Sequence, residues 1–117
     1  MRYFTLSEFD CPSEKGSGSK MNVEFLELLE KARIVAELPF KITSGYRNSE
    51  HNIKVGGKSD SSHLKGLAAD ISVTDSRTRN IILNALISVG FTRIGIAKTF
   101  IHADLDIDKS QNVYWVY

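Results

Sequence analysis

The fold class is decided by residues 93–117, RIGIAKTFIHADLDIDKSQNVYWVY. This stretch predicts three strands, RIGIA, FIHADLDI and NVYWVY, because β-branched and aromatic residues alternate there with other side chains. No segment long enough for a helix separates the strands, so we expect them to pair mainly antiparallel. Helices and strands occur in mixed order upstream. Together these features predict an α+β fold with a largely antiparallel sheet.

Two amphipathic helices are predicted before this region. Met21–Leu38 carries apolar residues at helical spacing and stops before a proline. Arg77–Val89 shows the same spacing, with Gly90 placed as its C-cap. Strands are predicted at Phe40–Thr43 and in AADISVT, residues 68–74. The layout is that of one domain spanning residues 1–117.

Residues 48–67, NSEHNIKVGGKSDSSHLKGL, are rich in Gly, Ser, Asn and Asp and show no clear periodicity. We predict a loop, with residues 48–62 lining a cleft. A loop of this length inside a compact domain is usually functional.

The composition excludes several classes of protein. The formal charge is +1, from 15 basic and 14 acidic residues, and no long basic run is present. We therefore expect no nucleic-acid partner. No apolar stretch approaches the length of a membrane span, and the single cysteine, Cys11, cannot form an internal disulfide. The opening residues lack the apolar core of a signal peptide, so we expect a cytosolic product that does not bind membranes.

The segment FIHADLDI predicts a strand with one polar face that could bind an ion. Successive strand residues point to opposite faces of a sheet. The residues Ile101, Ala103, Leu105 and Ile107 are therefore expected to face a core, and His102 and Asp104 to project together from the other side. That pair could bind an ion. The alternative is a half-exposed strand with a solvated acidic face.

The spacing of Asp104, Asp106 and Asp108 also matches the first three ligands of a calcium-binding loop. Such a loop needs Gly at its sixth position and Glu at its twelfth. Those positions hold Lys109 and Trp115 here. The pattern is therefore not that of a calcium loop.

The segment SSHLKGLAAD, residues 61–70, places a histidine and a carboxylate around small residues. Small residues allow a backbone to pass close to a metal centre or another strand. His63 and Asp70, with the distant His102, provide two nitrogen donors and one oxygen donor. Zinc takes such a set readily, and catalytic zinc sites keep a further position open for water. Taken alone, His63 is more simply explained as a buried structural histidine.

Three ordered motifs together resemble the peptidase M15 family. They are S-G-Y-R at 44–47, S-x-H-x-x-G-x-A-x-D at 61–70 and F-I-H-A-D at 100–104. The opening YFTLSEF and the closing NVYWVY are also similar to its small single-domain branch. The resemblance implies a Hedgehog/DD-peptidase-like fold, with a mostly antiparallel sheet flanked by helices. It also implies a zinc peptidase that cuts peptidoglycan stem peptides, as a D-Ala-D-Ala carboxypeptidase or as an endopeptidase.

The resemblance also implies roles for single residues. Its zinc ligands match His63, Asp70 and His102. Arg47 matches a residue that faces the active site, where a guanidinium can bind a substrate carboxylate or steady an oxyanion. Its alternative role is a structural hydrogen bond to loop carbonyls. Ser62 either touches substrate or caps the loop.

The chain departs from the family pattern at one position. Many members carry an acidic general base three residues before the last zinc histidine, where this chain has Thr99. Asp104 is the natural substitute, as a base that takes a proton from metal-activated water. Alternatively, Asp104 orients a zinc ligand. His51, in the turn after Arg47, is expected to be structural.

Two functional interpretations follow. The first is a monomeric wall-cutting enzyme that is released without a signal sequence, as a phage or prophage lysis enzyme or a virion component would be. The second is a zinc-containing binding module of the same fold that has lost catalysis, which the threonine at position 99 makes plausible.

Overall fold

One five-stranded sheet organises the protein in the computed structural model, which describes residues 1–117. The strands are β1 (Ile42–Ser44), β2 (Ala68–Ser72), β3 (Arg93–Ile96), β4 (Phe100–Asp104) and β5 (Val113–Val116). Their order across the sheet is β1-β2-β4-β3-β5. All neighbours pair antiparallel except β3 and β5, which are parallel. The predicted α+β fold with a mostly antiparallel sheet is confirmed.

The helices begin and end where local side chains satisfy the backbone. They are α1 (Val23–Ala36), α2 (Ser49–Lys54) and α3 (Ser76–Val89), with 3-10 helices at Leu6–Phe9, Ser17–Lys20 and Ser62–Lys65. Asn22 caps α1 by accepting a hydrogen bond from the N–H of Phe25, and Asp75 caps α3 in the same way. Gly90 ends α3 in the left-handed conformation, as predicted. No helix combines the length and apolar character needed to cross a membrane.

The hydrophobic core lies between one face of the sheet and the two long helices. It contains 19 buried residues, among them Phe25 and Leu29 from α1, Ile82 and Leu86 from α3, and Ile71, Ile94, Ile101 and Ala103 from the sheet. The predicted inward positions Ile101 and Ala103 are confirmed. Ile107 is 85% exposed, however, because β4 ends at Asp104 and the alternation stops there.

The predicted loop at 48–67 is wrong in part, since it contains α2 and the 3-10 helix Ser62–Lys65. Each short helix starts at a polar cap. The side chain of Asn48 accepts from the N–H of His51, and that of Ser61 accepts from the N–H of His63. Helices this short lack the two turns over which apolar periodicity becomes visible, so the sequence pattern missed them.

A single row of residues crosses the sheet on the face opposite the core. Ser44 pairs with Asp70, Asp70 with His102, His102 with Gly95, and Gly95 with Trp115. Residues that pair directly across strands point to the same face. The register therefore gathers two predicted metal ligands and an aromatic residue on the open side of the sheet.

Candidate metal site

Three predicted ligands converge at the centre of that open face. Nε2 of His63 lies 3.3 Å from Oδ1 of Asp70, and Nδ1 of His102 lies 2.9 Å from the same oxygen. One donor atom from each residue falls within 4.8 Å of the others, and all three residues are buried. The structure thus brings together the group that the sequence motifs named.

The donor set fits a transition metal. Two imidazoles and one carboxylate are ligands that zinc takes at about 2.0–2.2 Å, and tetrahedral donors at that distance lie roughly 3.3 Å apart. The spacings of 3.3 and 2.9 Å from Asp70 to the two histidines are close to this value. The group also lines an open cleft, which leaves room for water or substrate at a further position. These residues could therefore hold a metal ion.

Hydrogen bonds on the far side of each imidazole orient the rings. Nδ1 of His63 lies 2.8 Å from the carbonyl of Gly45, and Nε2 of His102 lies 2.7 Å from Oδ2 of Asp104. When these nitrogens donate their protons outward, Nε2 of His63 and Nδ1 of His102 keep lone pairs directed at Asp70. A partner that fixes the tautomer in this way is usual for metal-binding histidines.

Gly45 is required where it stands for a steric reason. A Cβ at this position would lie 2.7 Å from the Cα and the carbonyl oxygen of Phe9. The N–H of the next residue, Tyr46, donates to that same Phe9 carbonyl at 2.9 Å. The glycine therefore lets the S-G-Y-R turn pack against the N-terminal segment and present its carbonyl to His63.

The electrostatics of the site favour ionised carboxylates and a protonated or metal-bound His102. Burial opposes charge on Asp70, but hydrogen bonds with His102 and His63 outweigh it and hold the pKa of Asp70 well below its usual range. Burial likewise opposes charge on His102, yet Asp104 and Asp70 raise its pKa. For Asp104, the hydrogen bond with His102 outweighs burial, and the pKa is lowered.

Both oxygens of Asp104 are already engaged. Oδ2 faces His102, while Oδ1 accepts from Nε of Arg93 at 2.7 Å and from the N–H of Asp106 at 3.0 Å. Asp104 is 1% exposed. Because it bonds Nε2 of His102, it lies across the ring from Nδ1, the nitrogen that faces Asp70.

Arg47 reaches the same site from the turn after β1. Its Nη2 lies 3.6 Å from Oδ2 of Asp70, its Nε donates to Oγ of Ser44 at 3.1 Å, and its Nη1 donates to Oδ1 of Asn52 at 3.3 Å. The guanidinium of Arg47 thus contacts side chains. It does not make the hydrogen bonds to loop carbonyls that a purely structural role would involve. Arg47 also lines the cleft, as the resemblance implied.

Ser62 lies beside the first ligand, but its hydroxyl is held by a buried network. It donates to Oδ2 of Asp106 at 2.8 Å and accepts from Nζ of Lys109 at 3.0 Å. Asp106 is fully buried and also accepts from Nζ of Lys65 at 3.0 Å. Of the two roles left open for Ser62, these bonds favour a structural one. Asp106 therefore ties the 3-10 helix carrying His63 to the segment after β4.

Two other residues considered from the sequence lie away from the site. Thr99 is exposed in the turn between β3 and β4 and is not part of the cleft wall. Its carbonyl accepts a hydrogen bond from the N–H of Val73 at 3.0 Å. His51 lies on α2, outside the group of potential metal ligands.

The cleft above the candidate metal site has a volume of about 460 Å³. The predicted cleft-lining segment 48–62 contributes Lys58 and its neighbours to one wall. Other walls include residues that the sequence analysis missed, namely Arg93, Phe100, Lys109, Trp115 and Tyr117. Alternation within RIGI and VYWVY predicts that Arg93, Trp115 and Tyr117 point to the face opposite that of the residues next to them. It does not predict whether that face lines the cleft, because this depends on the order and direction of the strands in the sheet.

Comparison with known proteins adds one match. A family model described as Peptidase M15 matches residues 2–104, which is most of the chain. The match includes the three potential metal ligands and Arg47, and it ends before β5. No curated protein matches the chain significantly.

Substitution of a ligand is expected to abolish metal binding without unfolding the protein. His102→Ala removes one of three donors, and Asp70→Asn replaces the carboxylate with a neutral amide oxygen that binds zinc weakly. Stoichiometric binding of added zinc, measured by atomic spectrometry after dialysis, should therefore be lost. The metal-induced rise in melting temperature should vanish with it. His51→Ala is the matched control and should bind as the wild type does. Full metal content in His102→Ala would show that the ion lies elsewhere.

Asp106→Asn is expected to lower the free energy of unfolding by about 1–3 kcal/mol, because buried hydrogen bonds to a charged group are lost. Burial opposes ionisation, but Lys65 and Ser62 lower the pKa of Asp106 to about 2. Its stabilising effect is therefore complete above the unfolded pKa of about 3.9 and is lost as pH falls towards 2. Denaturant titrations of wild type and variant should converge over that window.

Asp108→Asn is the control for this prediction, since Asp108 also contacts Lys65 but its side chain is 77% exposed. It should change stability by less than about 0.5 kcal/mol. Equal losses in the two variants would contradict a special role for the buried carboxylate.

Proposed function

The chain belongs to the peptidase M15 family, and from that membership we propose that it is a zinc peptidase that hydrolyses peptidoglycan stem peptides. The observation that carries the proposal is the buried group of His63, Asp70 and His102 at the floor of an open cleft. Family membership supports a hydrolase that uses a metal. The donor set supports zinc as that metal.

When bound, zinc supplies Lewis-acid activation of the scissile carbonyl and of water. The protein's own residues orient the peptide and the ligands. Arg47 is the substrate-binding residue of the proposal, because its guanidinium lies beside Asp70 and borders the cleft. There it anchors a substrate carboxylate or steadies the oxyanion as charge develops.

For Asp104 we propose the positioning role in place of the general-base role. A base must reach the reacting water, and both oxygens of Asp104 are bound to His102, Arg93 and the Asp106 N–H. A carboxylate that accepts from Nε2 of His102 fixes the ring and increases the basicity of Nδ1. Arg93 holds that carboxylate in place through the hydrogen bond from its Nε.

A binding module without catalysis is the second candidate. The residue type at position 99 favours it, because a threonine stands there where many family members carry an acidic general base. The cleft and the metal donors would then serve recognition of wall peptides alone.

Hydrolysis of purified peptidoglycan tests the proposal. The zinc-loaded protein should release peptides, detected by mass spectrometry, and a chelator should abolish their release until zinc is restored. The masses identify the bond, since a carboxypeptidase releases a terminal D-alanine and an endopeptidase releases longer fragments. Stoichiometric zinc with no release from walls of several chemotypes would support the binding module.

Asp104→Asn separates the two roles of this carboxylate. A positioning residue should weaken zinc affinity by about 10–100-fold, and excess zinc should restore much of the activity. A general base would instead leave zinc affinity unchanged and lower kcat at every zinc concentration. Zinc titrations with activity at each point make the distinction. Asp108→Asn, on the exposed side of the same segment, is the control.

A further inference from the structure

Three aromatic side chains form one wall of the cleft. These residues, Phe100, Trp115 and Tyr117, are called the aromatic wall below, and all three line the cleft. The ring centroids of Phe100 and Tyr117 are 5.1 Å apart, and those of Trp115 and Tyr117 are 6.5 Å apart. The Trp115 ring also lies 5.5 Å from the ring of His102. The wall therefore continues directly from a potential metal ligand.

Gly95 makes room for this wall. It pairs with His102 on one side and with Trp115 on the other, and it is buried between them. A Cβ here would lie 2.6 Å from Nε1 of Trp115 and 2.8 Å from Cε2 of Tyr117. Any other residue would push both rings off the sheet. The missing side chain at position 95 thus lets the two rings lie close to the site.

Trp115 is held from two directions, whereas Tyr117 presents a free surface. The guanidinium of Arg93 stacks over the indole at 5.0 Å, and His102 packs against it from the same sheet face. Tyr117 is 68% exposed, although its N–H donates to the carbonyl of Ile96 at 3.2 Å and keeps the backbone on β3. An anchored backbone with an exposed ring is suited to contact a ligand.

The phenol of Tyr117 is a neutral hydrogen-bond donor close to the charges of the site. Burial of part of the ring raises its pKa, with smaller contributions from Asp70 and Asp104 in the same direction, while Trp115 and Arg47 oppose the rise. The hydroxyl therefore keeps its proton at neutral pH. It can donate to a carbonyl or carboxylate without adding charge beside the metal ligands.

We propose that Tyr117 is a substrate-binding residue of this site and that Trp115 positions it. The Tyr117 ring packs against the apolar part of a bound stem peptide, and its hydroxyl donates a hydrogen bond to a peptide carbonyl or carboxylate. The inference rests on the proposed function, because it takes the stem peptide as the ligand. The family match ends at residue 104 and assigns no role to β5.

Variants at residue 117 separate the ring from the hydroxyl. In Tyr117→Phe, loss of one hydrogen bond should lower kcat/KM for a stem peptide about 3–10-fold, chiefly through KM. Tyr117→Ala removes the ring as well and should lower kcat/KM more than about tenfold. Zinc content and melting temperature should stay as in the wild type. Tyr114→Phe is the matched control, because Tyr114 lies on the other face of β5 and is 53% exposed.

Gly95→Ala supplies a second route to the same test, since its Cβ displaces the rings of Trp115 and Tyr117 without removing either. It should raise KM in the same direction as Tyr117→Ala. A kcat/KM within twofold of the wild type in Tyr117→Ala, while the wild type cuts stem peptides, would overturn the role of Tyr117 and leave the proposed function standing. Loss of bound zinc in Tyr117→Ala would also overturn it, because a structural role would then explain the effect.

Peptide binding keeps the inference testable if the wild type cuts nothing. Fluorescence anisotropy of a dye-labelled stem peptide then gives Kd for the zinc-loaded proteins. A rise in Kd of about tenfold in Tyr117→Ala sustains the inference although the proposed hydrolysis has failed. Equal Kd values, or no binding to the wild type, overturn it. Trp115 is the only tryptophan of the chain, so its emission reports peptide binding to the wild type independently.

Discussion

The pairing of Asp70 with His102 across β2 and β4 is the constraint on which the rest of the structure depends. It buries a carboxylate on the open face of the sheet, and an isolated buried charge is costly. Two imidazoles and the guanidinium of Arg47 compensate for that burial from three different segments. The same convergence creates the donor set for a metal. The register of β2 and β4 thus creates a buried carboxylate that needs positive partners, and it also places the Asp70 and His102 side chains where they can bind a metal.

Two networks of hydrogen bonds and ion pairs support the potential metal ligands. Asp104 links His102 to Arg93, and Arg93 in turn stacks on Trp115. Asp106 links the 3-10 helix before Asp70 to the segment that follows β4. Buried networks with every partner satisfied rigidify a site, whereas a broken one leaves an unpaired charge. The aspartates that alternate along residues 104–108 therefore differ in role, from a buried support at Asp104 to an exposed side chain at Asp108.

The cleft combines a part that the family match covers with a part that lies beyond it. The potential metal donors and Arg47 fall within residues 2–104, whereas Trp115 lies on β5 and Tyr117 directly follows it. Because β5 runs parallel to β3, its residues reach the site beside Gly95 and extend the row that begins at Ser44. The proposed substrate contacts of Tyr117 therefore involve residues outside the family match, whereas the potential metal donors lie within it.

The sequence by itself determined the α+β class, both long helices and the residues able to hold a metal. Periodicity, caps and short motifs are properties of neighbouring residues, so they can be read locally. Only the tertiary structure decided that Asp104 faces the far nitrogen of His102, that the Ser62 hydroxyl is bound to Asp106, and that Tyr117 borders the cleft. The physical reason is that these contacts join segments distant in the chain. They depend on strand order and register, and local alternation cannot specify either.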